Sequence, residues 1–215
     1  MITYPKIDTL FKRDKDFKIT EEIRCPEFKN IKQWLLTEKI DGRNQRIIYS
    51  GENNSLEFRG RTNKAEMPAT LYIILQEMFL IDKFNEIFKE AKDVCLFGES
   101  YGARIQKGGG NYNKGNSFRL FDVWINGCWL EWDSVEEIAK KLGIKTAPVI
   151  MFTDIETAIE LVRNKTLSEV ALDEGEFGTM SEGIVARSYP LMLFRNGNPI
   201  KFKLKVTDFK GGEQD

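Results

Sequence analysis

The sequence predicts an α+β fold of antiparallel β-sheets with flanking helices. Several short strand-like runs are joined by tight turns at Asp41-Gly42, Asn126-Gly127 and Asn196-Gly197. Strands joined by so few residues must run antiparallel. Helical periodicity appears only in separate blocks, beyond Pro68, Ser134 and Asp154. No internal repeat, low-complexity run or Pro/Gly-rich linker divides the chain, so one domain over residues 1–215 is expected.

Trp34–Lys39 reads as a strand leading into Asp41-Gly42. Gln45–Tyr49 follows, then a turn at Gly51–Asn54 and a third strand at Ser55–Arg61. Pro68 suits a first helical turn, and Leu71, Ile74, Leu75, Met78 and Phe79 recur at helical spacing, predicting one helix to about Lys89. Val94–Glu99 reads as a short buried strand. Ser117–Trp124 and Cys128–Trp132 flank Asn126-Gly127 as a hairpin. Ser134-Val135-Glu136-Glu137 has capping-box spacing and Gly143 stops that helix. Asp154 caps a helix to Val162. Gly183–Arg187 is a strand, and Leu191–Arg195 pairs with Pro199–Val206 around Asn196-Gly197.

The composition excludes several chemistries. The chain contains no His, which removes His-dependent triads, His general bases and His-metal centres. Its three Cys are far apart, so neither a disulfide framework nor a zinc site is expected; Cys95 and Cys128, in apolar runs, read as buried thiols. The charged Met1–Lys18 segment does not read as a signal peptide, and the apolar patch at Leu71–Ile81 holds Gln76 and Glu77. These observations predict a cytoplasmic protein with no membrane contact. The net charge is −1, so any nucleic-acid surface must come from local clustering of the 32 Lys and Arg. Arg59, Arg61, Arg104, Lys107 and Lys114 are candidates for such a path.

Five stretches carry candidate chemistry. Glu38-Lys39-Ile40-Asp41-Gly42-Arg43-Asn44 puts a lysine at a strand end before a glycine turn. An ordinary lysine is a poor nucleophile because its amine is protonated, and burial or nearby cations expose the lone pair. Alone, the stretch reads better as a solvated hairpin with an Asp-Gly turn, because short patterns of this kind are common. Gly98-Glu99 ends a strand with a carboxylate, and Phe121 is an aromatic on a strand. Glu182-Gly183 joins a loop carboxylate to a strand. Ile200–Lys205 alternates, so Lys201, Lys203 and Lys205 share one face. Nucleophile, carboxylate, aromatic, carboxylate and lysine face are, in that order, the parts a nucleotide-transfer site requires. Each has a plainer reading: a core aromatic, a surface ion pair, a guarded sheet edge. The ordered conjunction carries the weight.

Over Glu38 to Phe209 the sequence resembles the covalent nucleotidyltransferase superfamily of DNA ligases, RNA ligases and capping enzymes. The resemblance implies a ligase-type, ATP-grasp-like domain with Lys39 as the adenylylated nucleophile. It implies Glu99 at the ribose, Phe121 on the base, Glu182 near a Mg²⁺ or Mn²⁺ ion, and Lys203 and Lys205 on the phosphate. Arg61 matches a phosphate-contacting arginine; Glu38, Ile40 and Asn44 flank the nucleophile at nucleotide-binding positions. Asn44, where DNA ligases and capping enzymes usually have Arg, is similar to relatives of the second RNA ligase of phage T4. Asp41 is similar to DNA ligases, where those RNA ligases often have His. The implied activity is ATP-dependent RNA ligation through lysine–AMP and an adenylylated 5′ end. The alternatives are a minimal DNA ligase, a capping-type guanylyltransferase and an inactive nucleic-acid-binding relative. Ten residues follow Lys205, so no C-terminal oligonucleotide-binding or helical domain is expected, and a partner protein could supply substrate contacts.

Overall fold

A computed structural model describes residues 2–103, 105 and 109–209. Its strands are β1 (Phe11–Arg13), β2 (Ile19–Ile23), β3 (Trp34–Glu38), β4 (Arg43–Ser50) and β5 (Ser55–Gly60). Helices α1 (Ala69–Met78) and α2 (Ile81–Ile87) precede β6 (Asp93–Gly102), β7 (Asn116–Ile125) and β8 (Cys128–Trp129). Then come α3 (Trp132–Leu142), β9 (Lys145–Thr146), β10 (Val149–Thr153), α4 (Ile155–Arg163) and α5 (Glu169–Asp173). β11 (Gly183–Ser188) and β12 (Lys201–Lys205) complete the order. The class is α+β with antiparallel sheets, as expected; the short β9, parallel to β7, is an exception.

The chain forms two compact units. One comprises Met1–Tyr4 and Asp41–Ala147, the other Pro5–Ile40 and Pro148–Asp215. The first holds a sheet ordered β5-β4-β6-β7-β8, with β9 beside β7. The second holds a four-stranded sheet ordered β10-β3-β11-β12 and the hairpin β1-β2. The chain passes from the second unit to the first between Ile40 and Asp41, within the Glu38–Asn44 stretch.

In the second unit, strand alternation sorts the side chains. Trp34 and Leu36 of β3, Ile184 and Ala186 of β11, and Phe202 and Leu204 of β12 face a core closed by Ile155, Ala158 and Val162 of α4. Asp154 caps α4 by accepting a 2.9 Å hydrogen bond from the Thr157 amide, as the sequence predicts. The opposite face carries Thr37, Val185 and Lys203 in one row, and Leu35, Arg187 and Lys201 in the next.

Several local expectations are corrected. The single helix predicted after Pro68 is two, because Phe79 is extended (φ −113°, ψ 101°). Its buried ring meets Phe118 edge-on at 5.2 Å, and core packing outweighs helical periodicity there. Helix α3 starts at Trp132, with Glu131 at the N-cap position, so Ser134 lies inside the helix and not at its cap. Trp132 is buried with Val135, Ile138 and Leu142, which draws the helix start forward. Gly143 ends it in the left-handed conformation (φ 76°). The hairpin expected at Asn196-Gly197 shrinks to a Leu193–Pro199 bridge. Both edges of β12 are already taken, by β11 and by Asp8–Leu10, whose backbone exchanges hydrogen bonds with Lys203. Cys95 is buried, and burial pushes its thiol up to about 12. Cys128 is exposed, not buried, because it opens a two-residue edge strand after the Asn126-Gly127 turn. Among the described residues no helix is long and apolar enough to cross a membrane.

Leu36 has no solvent exposure at the centre of the second unit's core. Leu36→Ala is expected to cost about 2–5 kcal/mol, read as a lower midpoint in urea denaturation.

Candidate active site

Register in the second unit dictates which side chains meet. Lys39 extends β3, and its amide donates to the Gly183 carbonyl at 2.9 Å. Gly183 in turn pairs with Lys205. Lys39 and Lys205 therefore stand in one row across three strands, with Gly183 between them. Strands lie about 4.8 Å apart, so the outer two are about 10 Å apart at the backbone. With no side chain at the middle position, two long side chains can converge across that gap. A side chain at 183 would also be strained: φ is +150°, and a Cβ would sit 2.0 Å from the Leu204 carbonyl oxygen.

Glu182 fills the point of convergence. One carboxylate oxygen lies 2.5 Å from the Lys39 amine and the other 2.6 Å from the Lys205 amine. The three side chains are 20%, 35% and 17% exposed for Lys39, Lys205 and Glu182, so solvent screens the group only in part. Lys203 lies one row away on the same face. Burial pushes its amine below the ordinary lysine range, and Lys39, Lys205 and Lys6 add to the shift while Asp8 opposes it. Lys201, the third lysine of that face, is pushed well below by burial and by Arg187 beside it.

Glu38 is nearly fully buried. Its two oxygens accept from the Ser168 hydroxyl at 2.5 Å and the Val170 amide at 3.0 Å. Burial is the largest influence on its carboxyl and raises it; these hydrogen bonds act the other way. Sequence reasoning assigned Glu38 to the nucleotide and missed Ser168 and α5. A five-residue helix leaves too short a pattern to read, although Ser168 itself has cap chemistry. Ile40 is buried at the end of this unit.

The remaining predicted residues lie in the first unit. Asn44 and Glu99 are directly opposite on β4 and β6. Phe97 pairs with Asp122 and Gly98 with Leu120, so Phe121 is the extra residue of a β-bulge. Bulges re-aim side chains and cluster near active sites. The Tyr4 ring lies 5.0 Å from Phe97 and 5.1 Å from Phe121, which puts Phe121 on the face that Phe97 shares with Glu99 and Asn44. Tyr4, which donates to Asp122 at 2.5 Å, was not foreseen; a lone aromatic near the chain start carries no pattern. Gly42 is needed at its position, because a Cβ would sit 2.3 Å from the Ser100 carbonyl oxygen. Arg61 is exposed just past β5. Arg59, also proposed for a basic path, is paired with Glu57 at 3.0 Å, and the Lys114 amine donates to the Gly110 carbonyl at 3.2 Å. Arg104 and Lys107 lie outside the described residues.

The donor chemistry fits the implied nucleotide and cation. Asn44 Oδ1 is buried without a hydrogen-bond partner, an acceptor suited to a ligand donor. Glu182 offers hard oxygens, which suit Mg²⁺ or Mn²⁺. Among the described residues no group of three Asp, Glu, Cys or His could hold a metal, so the fit is to a cation shared with phosphate oxygens and water.

The Lys203 shift has a definite sign. A lysine whose folded pKa is depressed binds fewer protons folded than unfolded, so it costs stability at neutral pH. That cost is relieved as pH rises through the folded value toward the ordinary 10.5. Lys203→Met is therefore expected to raise the urea midpoint at pH 7, with the gain shrinking as pH approaches 10.5.

A comparison with curated proteins finds no match. Among solved structures, the chain is similar to Naegleria gruberi RNA ligase with PPi, at 18% identity and a TM-score of 0.68, covering 99% of this chain and 59% of that one. A variant of that ligase with ATP and Mn aligns at 17% identity and TM-score 0.68 over 95% of this chain and 56% of that one. Another, with AMP and Mn, aligns at 17% identity and TM-score 0.65 over 95% and 62%. At such identities the likeness shows a shared fold, and this chain spans about three-fifths of the first ligase's length. The model of the RNA ligase family matches residues 32–206, from just before β3 to just past β12. That span is most of the described chain and includes every candidate site residue: the chain belongs to the RNA ligase family.

Proposed function

We propose that this chain is an ATP-dependent RNA ligase that joins 5′-phosphate and 3′-hydroxyl ends in the cytoplasm, with a protein partner adding substrate contacts. The observation that carries the reading is the Lys39 amine on Glu182, on a sheet face it shares with Lys203 and Lys205. Naegleria ligase structures with ATP and Mn and with AMP and Mn support the choice of nucleotide and cation.

Lys39 acts once its amine has given up a proton and left Glu182. The amine attacks the α-phosphorus of ATP; a P–N bond forms as the P–O bond to pyrophosphate breaks. Lys203 and Lys205 offset the negative charge that builds on the α-phosphate oxygens. A divalent cation, when bound, would supply further charge neutralisation along the triphosphate. Glu99 is assigned to the ribose hydroxyls, Asn44 and Glu38 to nucleotide recognition, Phe121 to the base and Arg61 to phosphate. A 5′-phosphate oxygen then attacks the Lys39-linked phosphorus and the P–N bond breaks. Attack by a 3′-hydroxyl on the adenylylated end seals the strand and releases AMP. Asp41 is the residue that favours DNA as a second substrate class; sealing of nicked RNA and DNA duplexes side by side separates the two.

With labelled ATP and Mg²⁺, the wild type is expected to carry label on the Lys39 peptide in a denaturing gel, and Lys39→Ala none. Label on the Lys39→Ala protein would remove the nucleophile assignment. Glu182→Gln keeps the side-chain shape and is expected to lower adenylylation at least about tenfold. Phe121→Ala is expected to raise the KM for ATP more than it lowers the melting temperature; a purely thermal loss would make Phe121 a core residue.

A further inference from the structure

The second unit contains a groove of about 460 Å³ that the adenylylation chemistry does not use. That volume is within the range of ligand sites, about 300–1,000 Å³. Its lining has three exposed or partly exposed cationic side chains, Lys6, Arg24 and Arg195, the buried Lys201, whose charged form burial disfavours, and one carboxylate, Asp8. Asp8 is already 3.7 Å from Lys6. Arg24 and Arg195 are exposed, and among the described residues neither takes part in an ion pair. In a chain of net charge −1, two uncompensated guanidinium groups on one concave surface are a marked local excess.

The groove is joined to the Lys39 site by β12. Lys201 lies at its groove end, and Lys203 and Lys205 follow on the same face. Alternate residues of a strand are about 7 Å apart, so the three lysines form a line about 14 Å long from the groove to Glu182. Asp8–Leu10 runs along the edge of β12, and Lys6 and Asp8 influence Lys203 electrostatically. The groove also has an aromatic wall. Phe194 is 38% exposed, and its ring is backed by Phe28 at 6.1 Å.

We infer that this groove holds the sugar–phosphate backbone of a single RNA strand, with Arg24 and Arg195 on phosphates and Phe194 stacking on a base. The cations alone would suit any polyanion. The exposed ring favours nucleic acid, because every base offers a face to stack on and an acidic peptide does not. The inference deepens the ligase reading and rests on it for the identity of the strand: the line of lysines would lead an RNA end toward Lys39.

The test uses the full chain and a fluorescent single-stranded RNA with a 5′-hydroxyl, without ATP, so that binding is separate from chemistry. Arg24→Glu/Arg195→Glu is expected to weaken binding at least about tenfold and to flatten the slope of log affinity against log salt by about 1.4, at about 0.7 per phosphate. Phe194→Ala is expected to weaken binding about tenfold with the slope unchanged. Transfer of AMP to the protein should stay at the wild-type level in all of these variants. If charge reversal lowers the melting temperature, Arg24→Gln/Arg195→Gln replaces it with the same expectation. Unchanged affinity and slope would overturn the groove assignment, and so would poly-glutamate competing as well as an RNA of equal charge. Wild-type protein that takes no label from ATP, yet loses RNA affinity and slope in the arginine variants, would overturn the ligase reading and leave the groove standing. Normal labelling with an unchanged slope would do the reverse.

Discussion

A single carboxylate shared by two lysines across an empty strand position is the constraint on which the candidate site depends. Glu182 can meet both Lys39 and Lys205 because Gly183 places no side chain between them. The arrangement depends on register. A slip of one residue in β12 would send Lys203 and Lys205 into the apolar core and bring Leu204 out of it, and a slip in β11 would bring Ile184 out. Packing on α4 therefore fixes which side chains stand together on the opposite face. The same bridge holds the Lys39 amine, which under the proposed chemistry must leave Glu182 before it can attack.

The first unit positions its residues differently. There, pairing puts Asn44 opposite Glu99, and an irregularity in pairing singles out Phe121. Buried arginines stiffen the surroundings. Arg46 has no solvent exposure and donates to the Gly60 and Ile2 carbonyls and to Asn63, while burial lowers its guanidinium. Arg119, opposite Glu99, donates to the Tyr101 hydroxyl. These charged groups hold structure, and the residues offered to a ligand are few.

Charge is sorted by position and not by amount. The chain is nearly neutral overall, yet one sheet face and the groove beside it are cationic. Glu182 and Asp8 interrupt this cationic surface, and each is close to a lysine. A surface of this kind attracts phosphate locally without a global basic field.

Sequence alone determined the class, most strands and the ordered set of candidate residues, because these depend on local chemistry. Asn126-Gly127 turns a hairpin, Gly143 ends a helix, Asp154 caps one, and alternation puts Lys203 and Lys205 on a shared face. Tertiary structure decided what local pattern cannot encode. The extended Phe79 follows from a ring that fits the core better than a continuous helix would allow. The missing Leu191–Arg195 strand follows from β12 already having two partners. The Glu38–Ser168 pair spans 130 residues, the Lys39–Glu182 pair 143, and the groove joins the chain's start to its last loop. Such meetings depend on strand order and register, which emerge only when the sheets are assembled.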